Sequence, residues 1–482
     1  MALTGFVFSM RGKGLALAAG CAAMLASCGG GGSNPAPPIA GGGGAAPAPT
    51  PAPAPVAACS LKSRQDWVLA QLQEWYQFPT LLDATVNQAA HSTVDSYIDA
   101  LVAPARAQNR DRYFTYLTSI AEENAFYQQG ATAGYGFRLG YDTSSNRVFV
   151  IEAFEGAPAL AGGIDRGTEL LQIGSQSVSS LMASGGPSAV IQALGPDTAG
   201  TTRQLTVRQL NGTQVTVTLS KAVFAIDPVS DRYGAKVITD GSRKVGYLNM
   251  RTFIDTSEPN LRAAFADFKA QGVTELIVDL RYNGGGLLSI AAYMIDLMGL
   301  GRSGQVNTYV TFRDSKASEN ETILFTPQAQ SIAPTKVAFI GTHSTASASE
   351  MVINGMVPYL GNNMALVGTN TYGKPVGQIA LDRPECDDRL RSLSFKLENA
   401  NHQGEYFNGL ATTVANTCIG NDDISRQLGD PNEGMVRAAL DYLAGRACTR
   451  IAALGPLAPS KGGVLADDAA QSTVRRELPG AY

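Results

Sequence analysis

The sequence predicts a multidomain α+β protein, because its residue pattern changes twice along 482 residues. Apolar residues at helical spacing, among them Trp67, Leu72 and Trp75, predict an N-terminal helical segment up to about residue 130. Short strands separated by glycine turns follow to about residue 220. From about residue 231, strands alternate with helices, and this alternation predicts a mixed α/β core.

The N-terminal segment is expected to hold three helices. Residues 67–76 and 94–101 each present an apolar face, and a third helix is predicted over residues 111–127. In the core, residues 336–341 are predicted as a buried strand, and the apolar residues from Met351 onward have helical spacing.

The first 27 residues have the pattern of a signal peptide. Arg11 and Lys13 precede an apolar stretch, residues 15–25, that is too short to span a membrane as a mature helix. Residues 25–28, Leu-Ala-Ser-Cys, resemble a bacterial lipobox, which implies cleavage before Cys28 and a lipid on that cysteine. An ordinary secretory signal is the alternative, and the start codon, at residue 1 or residue 10, stays open.

Residues 28–58 are almost entirely glycine, alanine and proline, a composition that predicts a flexible tether. A tether behind a lipid holds the rest of the chain off a membrane surface. Gly29 follows the cysteine, and by resemblance to lipoproteins of Gram-negative bacteria this favours the outer membrane, facing the periplasm. The membrane is therefore expected as a partner through the lipid anchor only, and the formal net charge of −4 gives no reason to expect nucleic acid.

Four cysteines remain once the signal peptide and the lipidated cysteine are set aside. An even number in an oxidising compartment predicts disulfides, and four cysteines allow three pairings. We favour Cys386–Cys418 across a local excursion and Cys59–Cys448 between the two ends of the chain. No cysteine–histidine cluster suggests a metal.

A run of small residues, from Thr345 to Glu350, stands between the strand predicted at 336–341 and a helix. A serine at such a junction lies beside unpaired backbone N–H groups, but its hydroxyl needs a base to act as a nucleophile. His343 is only four residues before Ser347, and neither His91 nor His402 lies in a recognisable motif. Lys374 in Tyr-Gly-Lys-Pro is therefore the better candidate, since burial helps a lysine to lose its proton. The structural alternative is a helix N-cap and a solvated loop.

Residues 130–222 resemble a PDZ domain of the kind found with bacterial proteases. The resemblance rests on the Gly-x-Gly-Phe form of residues 134–137, the small-Pro-Ala segment at 155–159 and the turn and strand at 162–173. It implies that an extended peptide adds to an exposed strand with its terminal carboxylate at backbone N–H groups. A purely structural hairpin is the alternative. The implied peptide-binding residues are Gly134, Tyr135, Gly136 and Phe137.

Three core motifs are similar to those of the C-terminal processing, or tail-specific, serine proteases: residues 279–286, Ser-Ala-Ser-Glu at 347–350 and Tyr-Gly-Lys at 372–374. The resemblance implies a ClpP/crotonase-like protease core in which substrates are proteins or peptides recognised through their C-terminal tails. It implies an adaptor protein as a further partner and no cofactor. The implied roles are nucleophile for Ser347, general base for Lys374, lysine orientation for Gln378 and oxyanion hole for the N–H groups of Gly285 and Ala348.

The sequence departs from that family in three places. Thr345 stands where many members have serine, and residues 354–363 lack an aspartate that some members carry. Residues 383–425 are predicted as an inserted loop that alters an edge of the site. Two other functions stay open, a catalytically silent PDZ scaffold or adaptor lipoprotein and a core that binds apolar ligands.

The predicted division of the chain follows from these patterns. The units are a lipoprotein signal peptide (1–27), a tether (28–58), an N-terminal helical domain (59–129), a PDZ-like domain (130–222), a protease core (223–450) and a C-terminal tail (451–482).

Overall fold

The structure, a computed structural model, describes residues 58–451, Arg476 and Tyr482. Cys28, the predicted signal peptide and nearly all of the predicted tether lie outside these residues, so the lipid anchor stays a prediction. Among the described residues, no helix has both the length and the apolar character that crossing a membrane requires.

The N-terminal segment is mainly helical but also contributes one strand. Its first helix begins after Ser60, whose hydroxyl accepts a hydrogen bond from Ser63 N–H and so caps the helix. The helix predicted over 111–127 is wrong in its first half, because residues 116–119 are a strand. The elements are α1 (Leu61–Trp75), α2 (Val94–Leu101), α3 (Ala103–Ala107), β1 (Tyr116–Ser119) and α4 (Ile120–Gln129).

The next part of the chain is rich in strands. Its elements are β2 (Ala131–Gly134), β3 (Phe137–Asp142), β4 (Arg147–Ala153), α5 (Pro158–Ala161), β5 (Glu169–Ile173), β6 (Gln176–Ser177), α6 (Val178–Leu194), β7 (Thr202–Arg208), β8 (Gln214–Ser220) and β9 (Ala222–Ala225). Five strands form a sheet in the order β3-β4-β5-β7-β8, with β6 beside β5, while β2 pairs with β9. We call this part the strand-rich unit; β3 lies at the edge of its sheet.

The rest of the described chain forms the core. Its elements are β10 (Ala235–Asp240), β11 (Arg243–Asn249), α7 (Ser257–Ala270), β12 (Glu275–Asp279), α8 (Leu288–Leu297), β13 (Val306–Phe312), β14 (Glu321–Leu324), β15 (Lys336–Gly341), α9 (Ala348–Leu360), β16 (Met364–Gly368), β17 (Val376–Arg383), β18 (Asp388–Glu398), β19 (Asn416–Ile419) and α10 (Gly434–Leu443).

The main core sheet has the order β10-β11-β12-β15-β16-β19. The pair β10–β11 is antiparallel and the other four pairs are parallel, so the predicted mixed α/β architecture is confirmed. Neighbouring strand residues face opposite sides: Val337 packs into the cluster that holds α7, α8 and α9, and Ala338 into the cluster that holds α10. Parallel strands with both faces covered need apolar residues throughout, which is why 336–341 could be recognised from sequence.

A second core sheet contains residues 388–398 of the segment predicted as an inserted loop. Strands β17 and β18 form an antiparallel hairpin, and β18 continues through β13 to β14. Strand β1 pairs with β18 on its N-terminal half, with Tyr116 opposite Arg391. The loop prediction is therefore wrong for residues 388–398, because the strand is stabilised by partners far away along the chain.

The four cysteines form two disulfides, Cys59–Cys386 and Cys418–Cys448. The favoured pairing, Cys386–Cys418 with Cys59–Cys448, is therefore wrong. The start of α1 lies beside the turn of the β17–β18 hairpin, where Arg64 pairs with Asp388, and this brings Cys59 to Cys386. Cys418 lies on the last strand of the main sheet, and the chain after α10 returns to that strand at Thr449, whose carbonyl accepts from Ile419 N–H.

Candidate active site

Ser347 lies where strand β15 gives way to helix α9, as the small-residue run predicts. Its φ of 55° and ψ of −117° are uncommon for a residue with a side chain, so the surrounding structure must hold the backbone there. Its neighbours are fixed by Asn283, whose carbonyl accepts from Ala346 N–H and from the Ser349 hydroxyl, both at 3.1 Å. Ser347 itself is 8% exposed.

Glu350 connects the serine to the predicted base. Its Oε2 accepts hydrogen bonds from the backbone N–H groups of both Ser347, at 3.2 Å, and Lys374, at 2.7 Å. Its Oε1 accepts from the Thr371 hydroxyl at 2.6 Å and from Gly373 N–H at 2.7 Å. Because one carboxylate oxygen bonds to both backbones, the backbones of Ser347 and Lys374 are held close together.

The charge of Glu350 is stabilised by dipoles, with no arginine or lysine side chain bonded to it among the described residues. It is completely buried, and burial raises the pKa of its carboxyl, although the bonds from Thr371, Lys374 and Gly373 and the nearby charge of Arg112 act in the opposite direction. Sequence reasoning assigned Glu350 only to the start of helix α9. The signal that was available is its place within the Ser-Ala-Ser-Glu motif; its contacts with residues 371–374 are long-range and could not be seen.

The side chain of Lys374 is oriented by Gln378, the residue predicted for that position. Lys374 Nζ donates to Gln378 Oε1 at 3.0 Å, and Gln378 Nε2 donates to the Phe114 carbonyl. The Phe114 ring centroid lies 5.0 Å from Lys374 Nζ. The structure thus brings the lysine and the glutamine together and adds Phe114, from the N-terminal segment.

A second N-terminal residue supports the lysine loop. Arg112 Nη2 donates to the carbonyls of Tyr372, at 2.8 Å, and Gly373, at 2.7 Å, and its guanidinium lies 4.0 Å from the centre of the Tyr372 ring. Sequence reasoning missed Arg112 and Phe114, because they precede the lysine by more than 250 residues and belong to no recognisable motif.

The glycine turn at 283–286 lies against the serine. A Cβ on Gly285 would lie 2.8 Å from Ser347 Cβ, so only glycine allows this approach, and its φ of +124° also favours glycine. However, Gly285 N–H donates to Asn283 Oδ1 at 2.9 Å, so the predicted oxyanion donor already has an acceptor. It can serve an oxyanion only as a shared donor or after Asn283 turns away. For the other predicted donor, Ala348 N–H, no described residue provides an acceptor.

The residues predicted to bind peptide lie in the strand-rich unit. Gly134 ends β2, Phe137 begins β3, and Gly136 between them has a φ of +82°. The next residue, Arg138, connects this turn to the glycine turn of the core, since its guanidinium donates to the Tyr282 carbonyl. Within the described residues no three His, Cys, Asp or Glu side chains are grouped so as to hold a metal ion.

Comparisons with known proteins agree with the core motifs. Residues 244–404 match the model of peptidase family S41. The chain is 29% identical over 258 residues to carboxyl-terminal-processing peptidase 2, chloroplastic, of Arabidopsis thaliana, a match that covers 51% of this chain and 46% of that protein. It is 26% identical over 257 residues to the carboxyl-terminal-processing protease of Picosynechococcus sp., covering 53% and 58%.

A crystal structure of an S41 protein from Bacteroides fragilis has the same fold. It matches with a TM-score of 0.62 and 22% identity, covering 79% of this chain and 97% of that one. The similarity to peptidase family S41 thus lies in the core, over residues 244–404. More narrowly, the chain is similar to carboxyl-terminal-processing proteases, and it spans about half the length of the curated relatives it matches.

Proposed function

We propose that this protein is a serine endopeptidase that uses Ser347 and Lys374 to hydrolyse peptide bonds in proteins with unstructured C-terminal tails. The observation that carries the proposal is the position of Glu350, whose Oε2 bonds to the backbones of both residues. The strained backbone of Ser347 and the orientation of the Lys374 side chain by Gln378 also support the proposal, because a serine nucleophile needs a base near it.

In the proposed reaction, neutral Lys374 takes the proton of the Ser347 hydroxyl as its oxygen attacks a substrate carbonyl. The negative charge that develops on the carbonyl oxygen is stabilised by Ala348 N–H, which lies at the start of helix α9. Lys374 then gives its proton to the departing amine, and water releases the acyl group from Ser347 by the same steps. Each oxyanion donor of this kind contributes roughly 3 kcal/mol to stabilising the transition state.

The proposal extends to the other regions of the chain. The strand-rich unit acts as a PDZ-like domain that recognises or gates the C-terminal segment of a substrate, with Gly134–Phe137 as its binding turn. A lipid on Cys28 anchors the protein in the cell envelope, facing the periplasm. Metabolic labelling with an alkyne fatty acid tests the anchor: the wild-type chain should incorporate the label and Cys28→Ser should not, and equal labelling of both would contradict it.

Fluorophosphonate labelling and cleavage of an unstructured reporter protein test the catalytic proposal. Wild-type protein should react, and Ser347→Ala should lose both labelling and about 10⁴-fold or more of the cleavage rate. Ser344→Ala is the matched control, since this serine is also buried and lies in the same loop. Unreactive wild-type protein would favour the alternative, a catalytically silent peptide-binding scaffold.

The identity of the base is tested separately. His343 is the alternative base, because it lies close to the lysine loop: its ring centroid is 5.2 Å from that of Tyr372. Lys374→Met should lose activity to a similar degree as Ser347→Ala, whereas His343→Gln should retain at least a tenth of the wild-type rate. The opposite result would assign the base to His343 and contradict the role of Lys374.

A further inference from the structure

Tyr482, the last residue of the sequence, lies against the glycine turn of the strand-rich unit. The N–H groups of Gly136 and Phe137 both donate to the Tyr482 carbonyl oxygen, at 2.9 and 3.2 Å. Tyr482 N–H donates in turn to the Phe137 carbonyl at 2.8 Å. This reciprocal pair of bonds is the pattern of antiparallel strands, and it forms on β3, the edge strand of its sheet.

The tyrosine side chain is buried together with the apolar residues of the unit. Tyr482 is 7% exposed and belongs to the same buried cluster as Tyr135, Phe137 and Leu194. A ring of this size buries roughly 150–250 Å² when it is enclosed, so it contributes much of the affinity of any segment that carries it. The turn and the cluster together therefore form a site for both the backbone and the side chain of an incoming residue.

Glycine is required at position 134 for this contact. A Cβ at Gly134 would lie 2.8 Å from the carbonyl carbon of Tyr482 and 3.2 Å from its oxygen. The distance to the carbonyl carbon is shorter than real Cβ contacts, so a side chain at position 134 would displace the bound segment. The absence of a side chain at position 134 therefore allows Tyr482 to pack against this turn.

From these contacts we infer that Tyr482 is an intramolecular ligand of the 134–137 turn and that the site selects extended segments carrying tyrosine at the bound position. The chain's own tail then competes with substrates for the turn. This inference rests on the proposed function in one respect only, namely that the competing segments belong to substrates.

The strength of the competition follows from the tail being part of the same chain. A tethered segment has an effective concentration of the order of 1 mM near its site. A tail with an intrinsic Kd of about 0.1 mM would therefore weaken the apparent affinity of an added peptide about tenfold.

A binding experiment on the Ser347→Ala chain tests the inference without any dependence on catalysis. The probe is a fluorescein-labelled peptide with the sequence of residues 477–482, Glu-Leu-Pro-Gly-Ala-Tyr, and the readout is fluorescence anisotropy. Removal of residues 477–482 from the protein should lower the Kd of the probe about tenfold. Tyr482→Ala in the full-length chain should also lower this Kd. Equal affinity of all three proteins would overturn the inference.

Two further variants test the site and its selectivity. Gly134→Ala in the protein that lacks residues 477–482 should weaken probe binding at least tenfold, while its thermal unfolding midpoint reports whether the unit still folds. A probe that ends in alanine should bind at least tenfold more weakly than the tyrosine probe. If both probes bind equally, the selectivity is contradicted.

The failure of this inference and that of the proposed function can be told apart. A chain that binds the probe as expected but cleaves no reporter leaves the ligand assignment intact and contradicts only the peptidase. A chain that cleaves the reporter at the same rate with and without residues 477–482, at substrate concentrations below KM, contradicts the competition.

Discussion

Two buried carboxylates hold different parts of this protein together, and they do so with opposite kinds of partner. Glu350 binds backbone N–H groups and one hydroxyl in the core. Glu152, on strand β4, pairs with Arg138 at 3.2 Å and with Arg251 at 2.7 Å, and it accepts from the Tyr233 hydroxyl at 2.6 Å. Both side chains are at most 2% exposed.

The partners decide the protonation of each carboxylate. Burial alone raises the pKa of a carboxyl, and this cause prevails at Glu350. At Glu152, burial acts in the same direction, but the charges of Arg251 and then Arg138 outweigh it, so the pKa lies below its usual range. Equal burial therefore produces opposite shifts, and the comparison predicts different consequences when each charge is removed.

The largest effect is expected from Glu152→Gln, which leaves Arg138 buried without its ion-pair partner, whereas Arg251 keeps its ion pair with Glu155. Removal of one partner of a buried ion pair costs about 3–5 kcal/mol, and we expect a loss of this size in the free energy of unfolding, measured with urea. Glu169→Gln is the matched control, since Glu169 also bonds two arginines, Arg147 and Arg208. Their side chains are 46% and 45% exposed, so the control should lose about 1 kcal/mol or less.

A smaller effect is expected from Glu350→Gln, and it should appear in catalysis. Both oxygens of Glu350 accept hydrogen bonds, and in the variant an NH2 group, which is a donor, would replace one of them. The donors facing that NH2 group would lose their acceptor, so the Ser347 and Lys374 backbones should separate. A displacement of about 1 Å costs roughly 100-fold in rate, and we expect a loss of that size in kcat for reporter cleavage. Probe binding at the 134–137 turn should stay unchanged.

Asp296→Asn serves as the control for Glu350→Gln. Asp296 is also buried, accepts hydrogen bonds from Thr326 N–H and the Asn307 amide, and has a pKa raised to about 6 by burial. The same acid-to-amide change there should leave kcat within a few-fold of wild type. Wild-type activity in Glu350→Gln would show that the carboxylate does not position the serine and lysine.

These two carboxylates also show which contacts can be predicted from the sequence and which cannot. The strand at 336–341 and the helix after Ser347 follow from local patterns and agree with the structure. The contact between the Lys374 and Gln378 side chains, which the family resemblance implied, is also present. The contacts of Glu350 and Glu152 join segments far apart in the chain. Neither helical spacing nor strand alternation carries information about them.

The errors have the same physical origin. Residues 116–119 were expected in a helix, but pairing with β18 satisfies their backbone groups in a strand. The cysteine pairing depends on which segments of the chain meet in the folded structure, and the spacing of cysteines along the sequence does not reveal this. The role of Gly285 in the oxyanion hole stays a prediction, but the sequence did not reveal that its N–H already donates to the side chain of Asn283, two residues earlier.

The smallest predicted effect, and the most direct test of the comparison, is the pH dependence of stability. For Glu350, whose folded-state pKa is raised, the carboxyl's contribution is fully present below the unfolded-state pKa of about 4.5 and is lost as pH rises through the folded-state value. For Glu152, whose folded-state pKa is lowered, the contribution is present above about 4.5 and is lost as pH falls. Glutamine does not titrate, so each wild-type minus variant difference isolates one carboxyl.

Urea unfolding across pH 3.5 to 7 should therefore give slopes of opposite sign. The free-energy difference between wild type and Glu350→Gln should shrink with rising pH above about 4.5, by at most about 1.4 kcal/mol per pH unit. The difference between wild type and Glu152→Gln should grow as pH rises from 3.5 towards neutrality. Slopes of the same sign would mean that burial, and not the charge of the partners, sets the protonation of both groups.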